Sequence, residues 1–237
     1  MKISDIESST TYSNEGTEPI ILYSPEIKRG FIRKVYSILA LQLFITTAMS
    51  SAVVSNENLQ LFVLNTNVFV ASIVVTFTSV CAITCYSSIH PWNIILLGVF
   101  TLAESIVLSR ICLLEFLNGN ETVVIAAAGI TFFIFLLFTF IAFFSKRDFS
   151  FMENMLTVGL ISLLGFTVFQ FFIQTTFLSL LIGWFGVLLF STYILYDTSQ
   201  LLHRLGPDNA IHASLMLYLD IINVFVFVLN LLRESSD

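Results

Sequence analysis

The chain has 237 residues, of which 57% are hydrophobic and only 11% are charged, and its mean hydropathy is +0.92. A water-soluble core does not require so many apolar residues, so the composition excludes an ordinary soluble globular protein and indicates one that lies in a lipid bilayer. The chain has a net charge of −6, only 10 Lys and Arg residues and no basic run, which excludes nucleic-acid binding.

The first 30 residues differ from the rest of the chain. They are polar and acidic and contain few large aliphatic side chains, a composition that is typical of disorder. We predict a disordered tail over residues 1–30 and one polytopic membrane domain over residues 31–237.

Seven apolar segments follow this tail, and most of them approach the roughly 20 residues that a membrane-spanning helix needs. The sequence therefore predicts an all-α integral membrane protein with a seven-helix bundle. The segments cover residues 37–54, 68–86, 93–108, 123–144, 156–172, 177–195 and 215–232.

The seventh segment is the least regular, because Asp220, Asn223 and Asn230 interrupt it. It either crosses the membrane completely or enters it and returns to the same side. In both cases its polar side chains must face protein rather than lipid. We therefore predict that the last helix is central in the bundle.

Basic residues near the ends of the segments indicate the orientation of the chain. Four precede the first segment, two follow the fourth and one follows the sixth, so that all seven fall on one side of the membrane. They are Lys28, Arg29, Arg33, Lys34, Lys146, Arg147 and Arg204. We predict a cytosolic N-terminus.

Two aspartates accompany the last two segments, Asp197 just after the sixth and Asp220 within the seventh. A carboxylate in hydrocarbon costs about 2.5–3.5 kcal/mol even on lenient insertion scales, so its usual setting is a bundle interior or a water-filled path. Gly206 and Pro207 break the chain between the two segments. Helix rise places Asp197 about 12 Å and Asp220 about 18 Å from this break. We predict that the two carboxyl groups face each other in the cytosolic half of the bilayer.

The helical periodicity gives each of these two segments one polar stripe. The stripes are Tyr193, Asp197, Gln200 and Arg204 on the first, and His212, Asp220, Asn223 and Asn230 on the second. Interhelical hydrogen bonds that hold the bundle together are one explanation, above all for the Asn and Gln residues. For the aspartates we favour a functional pair.

Desolvation and like-charge repulsion favour a single proton that the two aspartates share, which predicts a pH sensor. After deprotonation the carboxylate oxygens suit a hard cation such as Ca²⁺, bound transiently. A nearby basic group can hold the closed state, and His90, His203 and Arg204 are the candidates.

Several segments together resemble the transmembrane Bax inhibitor motif family. They are FIRKVYSIL at residues 31–39, the turn of His90 and Pro91, Glu104 in the third segment, YILYDT at residues 193–198 and LYLDIINVF at residues 217–225. The resemblance runs from about Arg29 to the end of the chain. It is strongest to Golgi members of the family, and the short, divergent N-terminal tail suggests a poxviral member.

The resemblance implies a seven-helix fold with a central last helix and a paired-aspartate site at Asp197 and Asp220. It also implies a pH-sensitive Ca²⁺ leak from Golgi and endoplasmic reticulum, and suppression of apoptosis. The partners it implies are protons, Ca²⁺ as the transported ion, and either a second copy of the chain or host apoptotic and calcium-channel proteins. No cofactor is expected.

The chain departs from the family pattern in one respect. Bacterial relatives carry an arginine cluster that latches onto the first aspartate, and the corresponding stretch here, CYSSIH at residues 85–90, contains no arginine. The latch is absent or has passed to His90 or another group. Asp208 matches an acid that Golgi members carry before the last helix; it either gathers cations at the pore mouth or caps that helix. Glu104 either lines the pathway or is a neutral, hydrogen-bonded acid in the bundle.

Two rival functions remain. Intramembrane aspartyl proteases also place two aspartates on neighbouring helices, but their second motif needs Gly-x-Gly-Asp, whereas LYLD stands at residues 217–220 here. We therefore expect no enzyme. A non-conducting scaffold that binds apoptotic or channel proteins, with structural aspartates, is the second rival.

Overall fold

The computed structural model describes residues 24–86, 90–145 and 147–235. These residues form eight α-helices and two short 3-10 turns, and no strand occurs in the described ranges. Seven of the helices are long and apolar enough to cross a membrane. The helices are α1 (Pro25–Ser55), α2 (Glu57–Leu64), α3 (Thr66–Tyr86), α4 (Trp92–Leu117), α5 (Glu121–Phe144), α6 (Glu153–Gln170), α7 (Thr176–His203) and α8 (Ala210–Glu234).

The first helix begins earlier than the sequence predicted. The Ser24 side chain accepts a hydrogen bond from the Ile27 amide, Pro25 occupies the first turn, and Glu26 lies where the helix dipole favours an acid. Residues 25–30 are therefore helical, and the predicted tail is six residues too long. The rest of that tail lies outside the described residues.

The second helix was not predicted. The loop after the first span is helical from Glu57 to Leu64, because the Asn56 side chain accepts hydrogen bonds from the amides of Asn58 and Leu59. The Arg110 guanidinium of α4 then donates to the carbonyl oxygens that end this helix, at 3.2 Å to Val63 and 2.8 Å to Leu64.

The contacts of α8 identify the two ends of the bundle. Helix α8 begins at the end where Arg204 pairs with Asp148 and where the turn Pro207–Asn209 contacts α1, and we call this the basic end. Its last turn lies at the far end, where Arg233 pairs with Glu115 near the α4–α5 turn. The helix is uninterrupted over 25 residues and runs the whole length of the bundle. The re-entrant alternative is therefore wrong, because it needs a break at membrane depth.

The last helix is central, as the sequence predicted. It contacts α1, α4, α5 and α7 directly and shares a cavity with α3 and α6. Of the seven spans it is the most buried, whereas α5 and α6 present most of their apolar side chains outwards. The outward faces carry large side chains such as Phe132 and Ile161, which a bilayer would cover.

Small residues bring α7 and α8 together. A Cβ atom on Gly183 would lie 2.6 Å from the Leu231 side chain, and one on Gly186 would lie 2.5 Å from the Phe227 ring. Only glycine permits this approach, as is usual where membrane helices pack closely. The packing fixes the two helices that carry the aspartates.

Candidate functional site

The two aspartates meet across the α7–α8 interface. Their carboxyl groups are close enough to interact, so that the ionisation of one affects the ionisation of the other. Asp220 is only 5% exposed and Asp197 is half-buried. Ionising both groups at this separation would place two like charges side by side in a poorly solvated setting. The two groups therefore titrate as a coupled pair.

The pair opens into a cavity of about 770 Å³ in the half of the bundle next to the basic end. We call it the aspartate cavity. Helices α3, α6, α7 and α8 form its walls, and most of the lining is apolar. Its polar lining residues are Thr76, Glu153, Thr157, Tyr193, Tyr196, Asp197, Gln200, His212, Asp220 and Asn223. Such a lining can hold water and a cation within an otherwise apolar bundle.

Most members of the two predicted stripes line this cavity, but Arg204 and Asn230 do not. The Arg204 guanidinium lies 3.1 Å from the Asp148 carboxylate, at the outer surface of the basic end. Hydrogen bonds from Ser150 and Arg204 outweigh the opposing effect of partial burial and lower the pKa of Asp148. Arg204 therefore has a partner other than the aspartate pair.

The remaining predicted residues are dispersed. Asn223 lines the cavity, and its side-chain amide donates a hydrogen bond to the Leu219 carbonyl at 2.8 Å. His212 also lines the cavity. His90 is exposed in the turn before α4. Asp208 is exposed in a 3-10 turn, and Asn209 rather than Asp208 holds the N-cap position of α8, without a side-chain cap bond. Asp208 is therefore not the predicted cap.

Glu104 lies deep in the bundle on α4. Its carboxyl group approaches the Thr76 hydroxyl on α3, and Thr76 also lines the aspartate cavity. Glu104 further interacts electrostatically with Tyr218 of α8. It thus stands where α3, α4 and α8 meet.

One acid of the cavity was missed by the sequence reasoning. Glu153 begins α6, lines the cavity and interacts with Tyr196, which in turn lies next to Asp197 in the chain. The Tyr196 hydroxyl also accepts a hydrogen bond from Gln200 at 2.8 Å. In the sequence, an acid at the start of a helix indicates only a favourable interaction with the helix dipole.

A second polar region, also missed, joins α1, α4 and α8. The Thr46 hydroxyl lies 2.7 Å from the Tyr218 hydroxyl and 3.0 Å from that of Ser105. Gln42 donates to Thr101 at 3.1 Å, and the Ser50 and Ser109 hydroxyls lie 3.2 Å apart. We call this set the hydroxyl seam. A sequence signal existed, because polar residues recur every four positions on both α1 and α4.

The aspartate pair was predicted to bind Ca²⁺ transiently rather than to hold a resident metal ion. Within residues 24–86, 90–145 and 147–235, no group of three or more His, Cys, Asp and Glu side chains is arranged to hold a metal ion.

Known proteins resemble the chain over nearly its whole length. The family model described as "Inhibitor of apoptosis-promoting Bax1" matches residues 28–237. Protein LIFEGUARD 4 of Arabidopsis thaliana is 35% identical over 240 residues, covering 98% of this chain and 96% of its own. The Golgi anti-apoptotic protein of vaccinia virus (strain Lister) is 35% identical over 234 residues, with 98% and 95% covered. Protein lifeguard 4 of Mus musculus is 34% identical over 216 residues, with 90% and 88% covered.

Proposed function

Because this chain belongs to the family of inhibitors of apoptosis-promoting Bax1, we propose that it is a pH-sensitive cation leak channel that lowers stored Ca²⁺ and thereby inhibits apoptosis. Membership in this family was predicted from the motifs around Asp197 and Asp220. Similarity to a Golgi anti-apoptotic protein supports a place in the Golgi membrane, with the endoplasmic reticulum as a second location.

One observation carries the ion-leak part of the proposal. Asp197 and Asp220 interact with each other at the wall of a cavity of about 770 Å³, inside a bundle that is mostly apolar. Polar and ionisable groups are costly at membrane depth and are typically found along ion or proton pathways. A cavity beside them provides the space that a hydrated cation needs.

The proposed mechanism follows from the shared proton. At low pH one proton bridges the two carboxyl groups, which leaves a single negative charge and no reason for a divalent cation to bind. As the pH rises the proton leaves, and the two carboxylates either repel each other or bind Ca²⁺. The leak is therefore closed by protons and favoured by their loss. His212 lines the same cavity and provides a basic group there.

The orientation completes the proposal. The basic end faces the cytosol, as Lys and Arg usually do, so the aspartate cavity opens towards the cytosol. Since α8 runs from the basic end to the far end, the C-terminus then lies in the lumen. A C-terminal epitope would be reached by antibody only after the organelle membrane, and not the plasma membrane alone, is permeabilised.

The scaffold alternative has one observation in its favour. The aspartates lie at the α7–α8 interface, where a proton-bridged pair also serves as a contact between helices. The protease alternative has none, because bulky Leu217 and Leu219 occupy the positions where such enzymes need glycine.

The proposed function is tested by Ca²⁺ leak in liposomes and by Ca²⁺ storage and survival in cells. Purified protein in liposomes with an entrapped Ca²⁺ indicator should leak Ca²⁺ faster than protein-free liposomes. In cells given an apoptotic stimulus, wild-type protein should lower stored Ca²⁺ and raise survival, and the double variant Asp197→Asn/Asp220→Asn should do neither. Full survival with the double variant, at matched protein levels and unchanged Ca²⁺ stores, would favour the scaffold.

A further inference from the structure

A second cavity, of about 710 Å³, lies in the half of the bundle next to the far end. It is bounded by α1, α4, α5 and α8, and we call it the hydroxyl cavity. Its polar lining comes from one face of α1 and the start of α5: Thr46, Thr47, Ser50, Ser51, Ser55, Glu121 and Thr131. The hydroxyl cavity and the aspartate cavity lie on opposite faces of α8 and occupy opposite halves of the bundle.

The two cavities approach each other at one place. Thr76 lines the aspartate cavity and approaches Glu104, which interacts with Tyr218. The Tyr218 hydroxyl is bonded to that of Thr46 at 2.7 Å, and Thr46 lines the hydroxyl cavity. A series of polar groups thus lies between the two cavities, in which Glu104 interacts with Thr76 and Tyr218, and Tyr218 is hydrogen-bonded to Thr46.

The contact between Tyr218 and Thr46 is tightly packed and lies between the two cavities. Tyr218 is completely buried, and its ring packs edge-on against Phe100 with centroids 5.6 Å apart. Thr46 is 2% exposed and is also bonded to Ser105 and to the Gln42 carbonyl. A neighbouring amide oxygen, Oε1 of Gln42, is buried without a hydrogen-bond partner and offers an acceptor beside this contact.

We infer that Glu104, Tyr218 and Thr46 form the constriction of a single transmembrane pathway, whose two halves are the aspartate cavity and the hydroxyl cavity. The inference rests on the proposed cation leak and assigns its route through the second half of the membrane. An acid marks each mouth, Glu153 on the aspartate cavity and Glu121 on the hydroxyl cavity. Glu104 supplies the negative group between them, and the Tyr218–Thr46 contact is the closed gate.

Cysteine accessibility tests the route without relying on ion flux. Native Cys81 lines the aspartate cavity, and Ser51 lines the hydroxyl cavity. Two proteins are made, one with Cys81 as its sole cysteine and one with Ser51→Cys as its sole cysteine. Each is treated in sealed vesicles with a membrane-impermeant, positively charged methanethiosulfonate reagent. One of the two thiols should react in sealed vesicles and the other only after permeabilisation.

The gate is then opened by Tyr218→Ala. The thiol that was protected in sealed vesicles should now react without permeabilisation. If the alanine variant does not fold, Tyr218→Phe keeps the ring, removes the hydroxyl and should still raise the labelling rate. Thiols that react from the same side, a hydroxyl-cavity thiol that never reacts, or sidedness that both Tyr218 variants leave unchanged would overturn the constriction.

Ca²⁺ flux in liposomes provides the second readout. Tyr218→Phe and Thr46→Val should each raise the leak about three- to tenfold, because one interhelical hydrogen bond no longer holds the closed state. Glu104→Gln should lower it. The matched control is Thr47→Val, since Thr47 lines the same cavity but its hydroxyl donates only to Leu43 of its own helix. An equal response of Thr47→Val would contradict the assigned gate.

The two readouts separate the possible failures. Sided labelling that Tyr218→Ala abolishes, without any Ca²⁺ leak from the wild-type protein, would refute the proposed leak and retain the constriction. A robust leak without sided labelling would retain the proposed function and refute this route.

Discussion

The aspartate cavity and the hydroxyl seam are both polar regions inside the same bundle, but their chemistry differs. In the first, two carboxyl groups interact with each other, and Oδ2 of Asp220 is buried without a hydrogen-bond partner in the described part of the chain. In the second, neutral groups such as Thr46 and Ser105 bond to one another and to backbone carbonyl oxygens. The comparison teaches that burial alone does not identify a functional site. An unpaired buried acid is the stronger indication of a functional site, whereas a network of neutral polar groups mainly holds helices together.

The largest effect is expected at the aspartates. Asp220→Asn or Asp197→Asn should change Ca²⁺ flux in liposomes by about tenfold or more, because either variant removes the shared proton and half of the potential charge. Folding should be retained, since asparagine can still donate a hydrogen bond to the remaining acid. Glu57→Gln is the control, because Glu57 is exposed at the start of α2 and lines neither cavity. Unchanged flux in both aspartate variants, at equal protein levels, would remove them from the pathway.

The next effect concerns the packing that holds the aspartates in place. Gly186→Leu should lower the free energy of unfolding by about 1–3 kcal/mol, because the new side chain would overlap the Phe227 ring. Gly165→Leu in α6 is the control, since a Cβ atom there meets nothing within 4 Å. Denaturant unfolding in detergent micelles compares the two. Equal stability of both variants would contradict the close α7–α8 contact.

Substitutions in the hydroxyl seam should lower the free energy of unfolding by a smaller amount. Gln42→Leu should cost about 1 kcal/mol, because interhelical hydrogen bonds in membrane proteins contribute about 0.6 kcal/mol on average and up to about 1.7 kcal/mol. Part of this loss should be recovered in Gln42→Leu/Thr101→Val, where neither partner is left unpaired. Strictly additive costs of the two substitutions would show that the pair does not interact.

The smallest effect is expected at the surface pair of Asp148 and Arg204. The pKa of Asp148 is lowered, so the pair stabilises the fold above the ordinary value of 3.8, and this stabilisation is lost as the pH falls through the lower folded-state value. Both side chains are largely exposed, which limits the contribution to less than about 1 kcal/mol. Asp148→Asn should therefore shift the unfolding midpoint slightly at neutral pH and not at all in strong acid. A shift that persists in strong acid would exclude the ion pair as its cause.

Much of the fold was readable from the sequence, because seven apolar segments of spanning length dictate seven helices. The meeting of Asp197 and Asp220 was also predictable, since a short break between two helices brings equal depths together. The helix α2 was not predictable, because a single capping residue, Asn56, decides whether that loop is helical. The partner of Arg204 was not predictable either, because Asp148 lies in a loop whose position depends on the fold of the whole bundle.

The partners of the hydroxyl-seam residues were also not predictable from the sequence. The four-residue spacing of Gln42, Thr46 and Ser50 indicates a polar face on α1, but serine and threonine also bond to their own helix backbone. Only the neighbouring helices reveal that Thr46 reaches Tyr218. Contacts between distant segments decide which polar faces are functional, and periodicity alone does not contain them.

The most direct test of the central claim is the pH dependence of Ca²⁺ flux through the purified protein in liposomes between about pH 5 and 8, a range in which solvent-exposed aspartates do not titrate. If Asp197 and Asp220 share a proton that must leave before Ca²⁺ binds, the wild-type flux should rise with pH and that of Asp197→Asn/Asp220→Asn should not. A flat wild-type profile, or the same pH dependence in the double variant, would contradict the account.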